Sequence, residues 1–257
     1  MSITEFQQNF IDHYNQPRTL HPLLGNPGYT MPSLEGLSWH AMPGQGANNW
    51  ILADTADLPY AYDVGNSCNN NVLVYRKGAQ CTGKIYIRGS NNIAILSSSD
   101  LGHHPVSICF HNSNHLFFFG DGSTSNTVTF ELGSDGTSII VGEDCMFSAF
   151  VSVINDDSHG IIDLATGEHI NRGADIVFEP HVWVGMNATI LKGVKVGYGA
   201  VIAAGATVTQ DVSRNTIVAG SPAREVKTGI GWVRPRYPDK NSLQFLAMLE
   251  RRFAIRR

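Results

Sequence analysis

The chain has 257 residues, 42% of them hydrophobic and 16% charged, which suits one globular domain with small appendages. Its 22 acidic and 18 basic side chains leave a formal charge of −4, so there is no broad positive field to hold nucleic acid phosphates or an acidic membrane surface. No apolar run approaches the ~20 residues of a membrane-spanning helix, and MSITEFQQNF lacks the basic-then-apolar layout of a secretory signal, so a cytoplasmic protein is expected.

Ser2 and Glu5 stand at capping-box spacing before Phe6, Phe10, Ile11 and Tyr14, which predicts a short amphipathic helix ending before Pro17. From Pro17 to about Ser67 periodicity is lost. Trp39, Trp50, Tyr60 and Tyr62 mark this stretch as a packed irregular arm, since disordered segments are poor in aromatics. The reading gives residues 1–70 to helix and arm, 71–230 to a repeat domain, and 231–257 to an extension with a helix. Asn241 and Gln244 are its candidate caps, with Leu243, Leu246, Leu249 and Phe253 along it and a basic end at Arg251, Arg252, Arg256 and Arg257. Cys68, Cys81, Cys109 and Cys145 show no short ligand spacing and are expected as reduced, mostly buried thiols.

From Asn71 onward short apolar pairs recur, among them Val72/Val74, Ile93/Ile95, Leu116/Phe118, Val128/Phe130 and Ile139/Val141, each the mark of a brief strand with one buried face. Between Phe178 and Ser213 the pattern becomes six unbroken hexads: FEPHVW, VGMNAT, ILKGVK, VGYGAV, IAAGAT, VTQDVS. First and fifth positions are apolar or small and point inward. The fourth is His181, Asn187, Gly193, Gly199, Gly205 or Asp211, residue types suited to positive φ. Three strand-and-corner units make an 18-residue triangular coil; about eight coils at ~4.8 Å would give a prism of about 35–40 Å. The 26 glycines thus report corners rather than flexibility. L-residue sterics alone favour right-handed crossovers between parallel strands.

These hexads, closing in VAGSPAREV at Val218–Val226, resemble the hexapeptide-repeat acyltransferases. The resemblance implies a left-handed parallel β-helix, an acetyl-CoA donor and a homotrimer with active sites between subunits. Within the family the chain looks most like sugar O-acetyltransferases of the galactoside, maltose, capsule and O-antigen kinds. It implies a carbohydrate acceptor, with a capsule or O-antigen sugar favoured by the long loop and the large arm.

The segment from Asn155 to Asp175 interrupts the repeat just before its most regular part, and functional groups concentrate on loops held by rigid scaffolds. It carries His159 beside Asp156, Asp157 and Ser158. A sugar hydroxyl needs a base as it attacks a thioester, and a histidine can take that proton and return it to the departing thiolate. His159 precedes Trp183 by 24 residues, a separation similar to that in the galactoside-type and capsular enzymes. There it implies a base and a cleft-lining tryptophan for donor and acceptor. A plain surface histidine, and a tryptophan serving only subunit packing, are the bland alternatives. Asp157 is the candidate to orient the imidazole and Asp156 to meet an acceptor hydroxyl, against a default of solvated loop carboxylates. Counted from Trp183, the positions of Ala204, Thr209, Arg224 and Lys227 match CoA-contacting positions of the galactoside-type enzymes, with Gly205 completing a small-residue turn. Turn chemistry and a solvated prism end explain the same residues without a ligand.

Metal is not expected. Carbonic anhydrases of the same prism place two metal ligands five residues apart, whereas His111 and His115 are four apart and His103 adjoins His104. Two rivals remain: N-acetylation of an amino sugar on the same scaffold, and a non-catalytic solenoid. The latter would show a ladder of identical outward residues, yet the sixth positions in chain order are Trp183, Thr189, Lys195, Val201, Thr207 and Ser213.

Overall fold

The computed structural model describes residues 2–44, 46–76, 79–97 and 99–253, and of 79–81 and 99–104 the backbone alone. The chain winds as a left-handed parallel β-helix of about seven turns. Each full coil passes over a first, a second and a third face in that order. In the most regular part these are Ile176–Phe178, Trp183–Val184 and Thr189–Leu191, before Lys195–Val196 returns to the first face.

The corners form where the hexads put them. His181, Asn187, Gly193, Gly199 and Gly205 all have φ between 57° and 77°. Asp211 does not share the left-handed backbone; its carboxylate instead accepts from the Lys195 amide at 2.8 Å. The twelve inward residues, from Phe178 and Val182 to Val208 and Val212, are all buried.

Upstream the coil is longer than 18 residues. Val72 pairs with Ile93 and Ile93 with Leu116, steps of 21 and 23. The wider cross-section is filled by Phe117, Phe130, Phe147 and Phe178, whose neighbouring ring centroids lie 4.8, 5.6 and 5.2 Å apart, where the hexad coils need only Val, Ile and Ala. The corners here are asparagines. Asn48, Asn70, Asn91 and Asn114 have φ near 60°, and each of the first three donates its amide to the next at 3.1–3.2 Å. A second, interior ladder runs through Asn49, Asn71 and Asn92 and ends on His115, whose backbone amide donates to Asn92 at 2.9 Å.

Strand pairing begins well before residue 71. Trp50–Ala53 pairs in parallel with Val72–Tyr75, and Tyr60–Val64 with Ala79–Ile87, so half of the arm read as irregular is prism. Seven parallel strands on the first face span about 29 Å at ~4.8 Å spacing, shorter than the hexad count suggested. The first-face strands Val72–Tyr75, Leu116–Phe119 and Ser138–Val141 are buried on both sides, not one. Helix α1 (Ile3–Tyr14), closed by the expected capping box, and the arm behind it lay Phe10, Tyr14, Leu24 and Tyr29 on Val72, Val74, Ile95, Phe118 and Ile140.

On the third face the outward residues Ser107, Thr129, Ser152, Thr189 and Thr207 stand in register, strand on strand. A hydroxyl row therefore exists. Reading sixth positions along the chain hides it, because successive hexads lie on different faces.

The C-terminal segment is stitched to the prism beside the corner before the second face. Trp232 stacks on His181 with centroids 4.1 Å apart and planes 3° apart, and its indole N–H donates to the His181 carbonyl at 2.9 Å. Both ring nitrogens of the buried His181 face acceptors, the Asp144 carboxylate at 2.7 Å and the Trp232 carbonyl at 2.9 Å, so both are placed to donate. Arg234 binds the other Asp144 oxygen at 2.8 Å and the Thr124 hydroxyl at 2.8 Å. Burial alone would raise the Asp144 carboxyl, but His181 and Arg234 outweigh it and hold the group below its usual range. Helix α2 (Pro17–Leu20) belongs to the arm, and helix α3 (Lys240–Phe253) packs Leu249 and Phe253 on Tyr198. Its N-terminus is capped by Asp239, which accepts from the Asn241 and Ser242 amides, rather than by Asn241 or Gln244. Buried Glu143 joins both ends of the chain, accepting from the Thr30 amide at 3.1 Å and from Arg252 at 2.7 Å. No helix among the described residues is long and apolar enough to cross a membrane.

Two predictions concern this scaffold. Burial pushes His115 below its ordinary value, so the unfolded chain takes up its proton first: stability is whole above pH ~6.5 and lost as pH falls from there through the depressed folded value. His115→Asn, which continues the ladder, should narrow the gap between melting temperatures measured at pH 8 and pH 5; an unchanged gap would refute this. Asp144→Asn strips Arg234 and His181 of their carboxylate and should cost about 3–5 kcal/mol in urea unfolding, with new proteolytic cuts in 231–253.

Candidate active site

The 155–175 loop leaves the prism at the corner between the third and first faces, after Val151–Ile154. Its root is fixed to the coil beneath. Asp156 packs on Gly133 closely enough that a Cβ there would lie 2.4 Å from its own, bonds the Ser134 hydroxyl, and accepts from the Ser158 amide at 2.6 Å. Ser158 adopts φ 61°, a left-handed residue that turns the chain sharply before His159.

His159 is exposed. Its amide donates to the Asp157 carbonyl at 2.7 Å and its carbonyl accepts from the Asn171 side chain at 2.8 Å. The Asp157 carboxylate, expected to orient the imidazole, instead binds Lys192 and the Asn171 amide, the latter at 2.7 Å. Those two bonds, Lys192 foremost, hold its carboxyl below the usual range. Beyond His159 the loop is a hairpin. Ile162 bridges His169, and the Asp163 carboxylate accepts from the Ala165 and Thr166 amides at 2.8 and 3.0 Å to close the turn. Its apolar residues face out, Ile161, Ile162, Leu164 and Ile170 being 54, 51, 99 and 58% exposed.

Trp183 lies elsewhere. It stands on the second face, 37% exposed, with its ring 6.0 Å from that of Trp232. The second face is opposite the corner that bears the loop, so one chain does not bring His159 and Trp183 together.

The other second-face candidates do gather near Trp183. Trp183, Val201 and Ile217 are paired in register, and Ile217 pairs with Lys227 on the antiparallel strand Arg224–Thr228. That spans three strand spacings, about 14 Å. A register shift between Ile217 and Val218 returns Arg224, opposite Ala219, to the same outward side as Lys227. Both cations are exposed. Ala204 and Gly205 form the exposed corner that ends this face, and a Cβ on Gly205 would meet nothing within 4 Å. A small-residue corner with free approach and two cations along the same face fits an elongated thioester donor that ends in phosphates. Thr209 is exposed too, but follows Thr207–Val208 toward the corner that carries the loop.

His115 is in the prism interior and His111 faces Glu131 at 3.7 Å, while the side chains of His103 and His104 lie outside the described residues, as do that of Cys81 and the whole of Arg256 and Arg257. Among the described residues no three His, Cys, Asp or Glu are placed to hold a metal ion. Cys68, Cys109 and Cys145 are free thiols, with burial pushing Cys109 up to about 11 and Cys145 up to about 12.

Asn171, Lys192, Trp232 and Arg234 were not singled out by sequence. Lys192 directly precedes the corner Gly193 and has a signal in retrospect, being a long cation in a hexad whose corner adjoins the loop root.

Comparison with known proteins agrees with this architecture. The family model described as bacterial transferase hexapeptide (six repeats) matches residues 175–210. A polysialic acid O-acetyltransferase from Neisseria meningitidis is 32% identical over 157 residues, 60% of this chain and 71% of that protein. One from Escherichia coli O1:K1 / APEC is 34% identical over 105 residues, 41% of this chain and 34% of that protein. The solved structure of NeuO, a polysialic-acid-specific acetyltransferase, superposes with a TM-score of 0.66 at 28% identity, covering 80% of this chain and 96% of that one. With a relative of this identity matched over most of its length, the chain belongs to the hexapeptide-repeat acetyltransferases, in the family of the polysialic acid O-acetyltransferases.

Proposed function

We propose that the chain transfers the acetyl group of acetyl-CoA to a hydroxyl of an anionic bacterial capsule sugar of the polysialic acid kind, acting as a cytoplasmic homotrimer. The observation that carries this reading is the likeness to the meningococcal enzyme, which extends past the hexads over most of that protein.

His159 is the base. It removes the acceptor proton as the hydroxyl oxygen attacks the thioester carbon, and backbone amides near the site receive the oxyanion. The carbon–sulfur bond then breaks, and the proton passes from the imidazole to the CoA sulfur. The donor runs along Trp183 and the Ala204–Gly205 corner, with Arg224 and Lys227 at its phosphates, while Thr209, which lies toward the loop corner, enters the site from the side of His159. Asp156 and Asp157 shape the loop root under the acceptor.

The site is composite. A loop on one corner and a donor track on the opposite face can meet only if the loop of one chain reaches the second face of another. The exposed Ile161, Ile162, Leu164 and Ile170 give that loop an apolar tip to bury against a neighbour.

His159→Ala should lower kcat/KM by about 10²–10⁴ with the melting temperature unchanged, in an assay of thiol release with sialic acid polymers. Full activity in that variant would end the reading of His159 as base. Co-expressing His159→Ala with Trp183→Ala chains tests the shared site. Each mixed trimer should regain one intact site in three, roughly a third of wild-type activity, where either variant alone is inactive. Mixed trimers as inactive as the parents would place both residues in one chain's site. Locating the acetyl group by mass spectrometry on matched hydroxyl and amino acceptors separates O- from N-transfer.

A further inference from the structure

Asn171 lies twelve residues beyond His159, at the foot of the hairpin, and makes four side-chain hydrogen bonds within the loop. At one end of its amide are the Asp157 carboxylate at 2.7 Å and the His159 carbonyl at 2.8 Å, both of which can only accept. At the other end are the Ile161 backbone amide at 2.6 Å, which can only donate, and His169 Nε2 at 2.9 Å. The amide therefore has one orientation, Nδ2 toward Asp157 and His159, Oδ1 toward Ile161, and His169 must carry its proton on Nε2. Both donors and both lone pairs are used.

This hub is moored to the scaffold. Lys192 follows Thr189–Leu191, whose Leu191 pairs with Ile154 at the loop root, and its ammonium reaches both the Asp157 carboxylate and the Asn171 carbonyl, the latter at 2.8 Å. The Asp157 side chain before His159 and the main chain from the His159 carbonyl to the Ile161 amide are thus gripped by one residue that is itself tied to the rigid coil.

We propose that Asn171 is the positioning residue of the acetyl transfer: its amide fixes the His159 carbonyl and the Ile161 amide and holds the Asp157 carboxylate just before them, so that the imidazole meets the acceptor hydroxyl in one orientation. The inference rests on His159 being the base. Asn171 touches neither substrate and acts through His159, where orientation of the reacting groups governs the rate.

Asn171→Asp keeps the shape and replaces the two donors by lone pairs facing the Asp157 carboxylate and the His159 carbonyl. The charged and titratable groups around the new carboxyl are Asp157, Lys192, His159 and His169. Its protonation returns one donor, so the variant's kcat should fall at least tenfold at pH 8, fall less at lower pH, and show an optimum displaced toward acid. KM for acetyl-CoA and the melting temperature should stay as in the wild type. Asn171→Ala supplies a readout free of turnover, since backbone hydrogen exchange in 157–162 should quicken. His159→Ala is assayed beside them. If it abolishes transfer while Asn171→Asp keeps wild-type kcat and pH profile, or exchange in Asn171→Ala is unchanged, the positioning role is overturned and the base stands. If His159→Ala keeps full activity, the base reading fails and the positioning role with it.

Discussion

Each turn of this prism must fold back on itself three times within about twenty residues while every strand stays in register with the coil beneath. The corner is the constraint on which the rest depends, because a left-handed backbone costs an ordinary L-residue roughly 1–2 kcal/mol. Two solutions divide the chain. The hexad coils use Gly193, Gly199 and Gly205, which adopt positive φ without a Cβ penalty, together with His181 and Asn187. The upstream coils use Asn48, Asn70, Asn91 and Asn114, whose amides bond from one coil to the next and so repay part of the backbone cost. His181 turns a corner and also anchors Trp232, so a residue placed by backbone geometry has become the attachment point of the C-terminal segment.

Function then separates into rigid and adjustable parts. The donor candidates sit on ladders of backbone hydrogen bonds, at positions fixed by strand register. The proposed base sits on a loop that owes its shape to a few polar side chains, Asp156, Asp157, Asn171 and Lys192. Closing a 21-residue excursion costs little more entropy than closing a shorter one, since the penalty grows only with the logarithm of length. What a loop of that length lacks is a defined conformation, and the Asn171 and Lys192 bonds supply it.

Legibility in the sequence followed the regularity of the coil. The hexads declare themselves because strand, corner and face repeat at a constant six. The upstream coils change length by a residue or two at each turn, so no fixed period survives, and Trp50–Ala53 and Tyr60–Val64 read as arm. Covering of the first face by α1 added to this, since strands buried on both sides lose the alternation that marks one buried face. The loop is legible as an interruption, and His159 as a candidate within it through its 24-residue separation from Trp183. In the sequence Asp157 reads as the partner of the imidazole because it is a carboxylate two residues away. Which groups it meets is decided by Lys192, 35 residues on, and by Asn171 across the hairpin. Neither pairing leaves any trace in local composition.

The hydroxyl row on the third face bears on the choice between an enzyme and an inert solenoid, which absence of a ladder can no longer decide. Ser107, Thr129, Ser152, Thr189 and Thr207 do align, but all are only half exposed, and the last is taken by the Ser221 hydroxyl at 3.0 Å. The outward row beside them runs through Tyr86, Cys109, Glu131 and Ile154, with no repetition of type. A surface that recognises an ordered lattice needs identical groups at constant spacing in two dimensions, and this face offers them in one. The departures from regularity point elsewhere. The coil is broken where a histidine-bearing loop has been moored by charge and amide bonds. On the opposite face, the Trp183 strand leads to a bulged edge strand that brings Arg224 and Lys227 onto one side. Such placements suit the proposed reaction between two ligands and contribute nothing to a repeating surface.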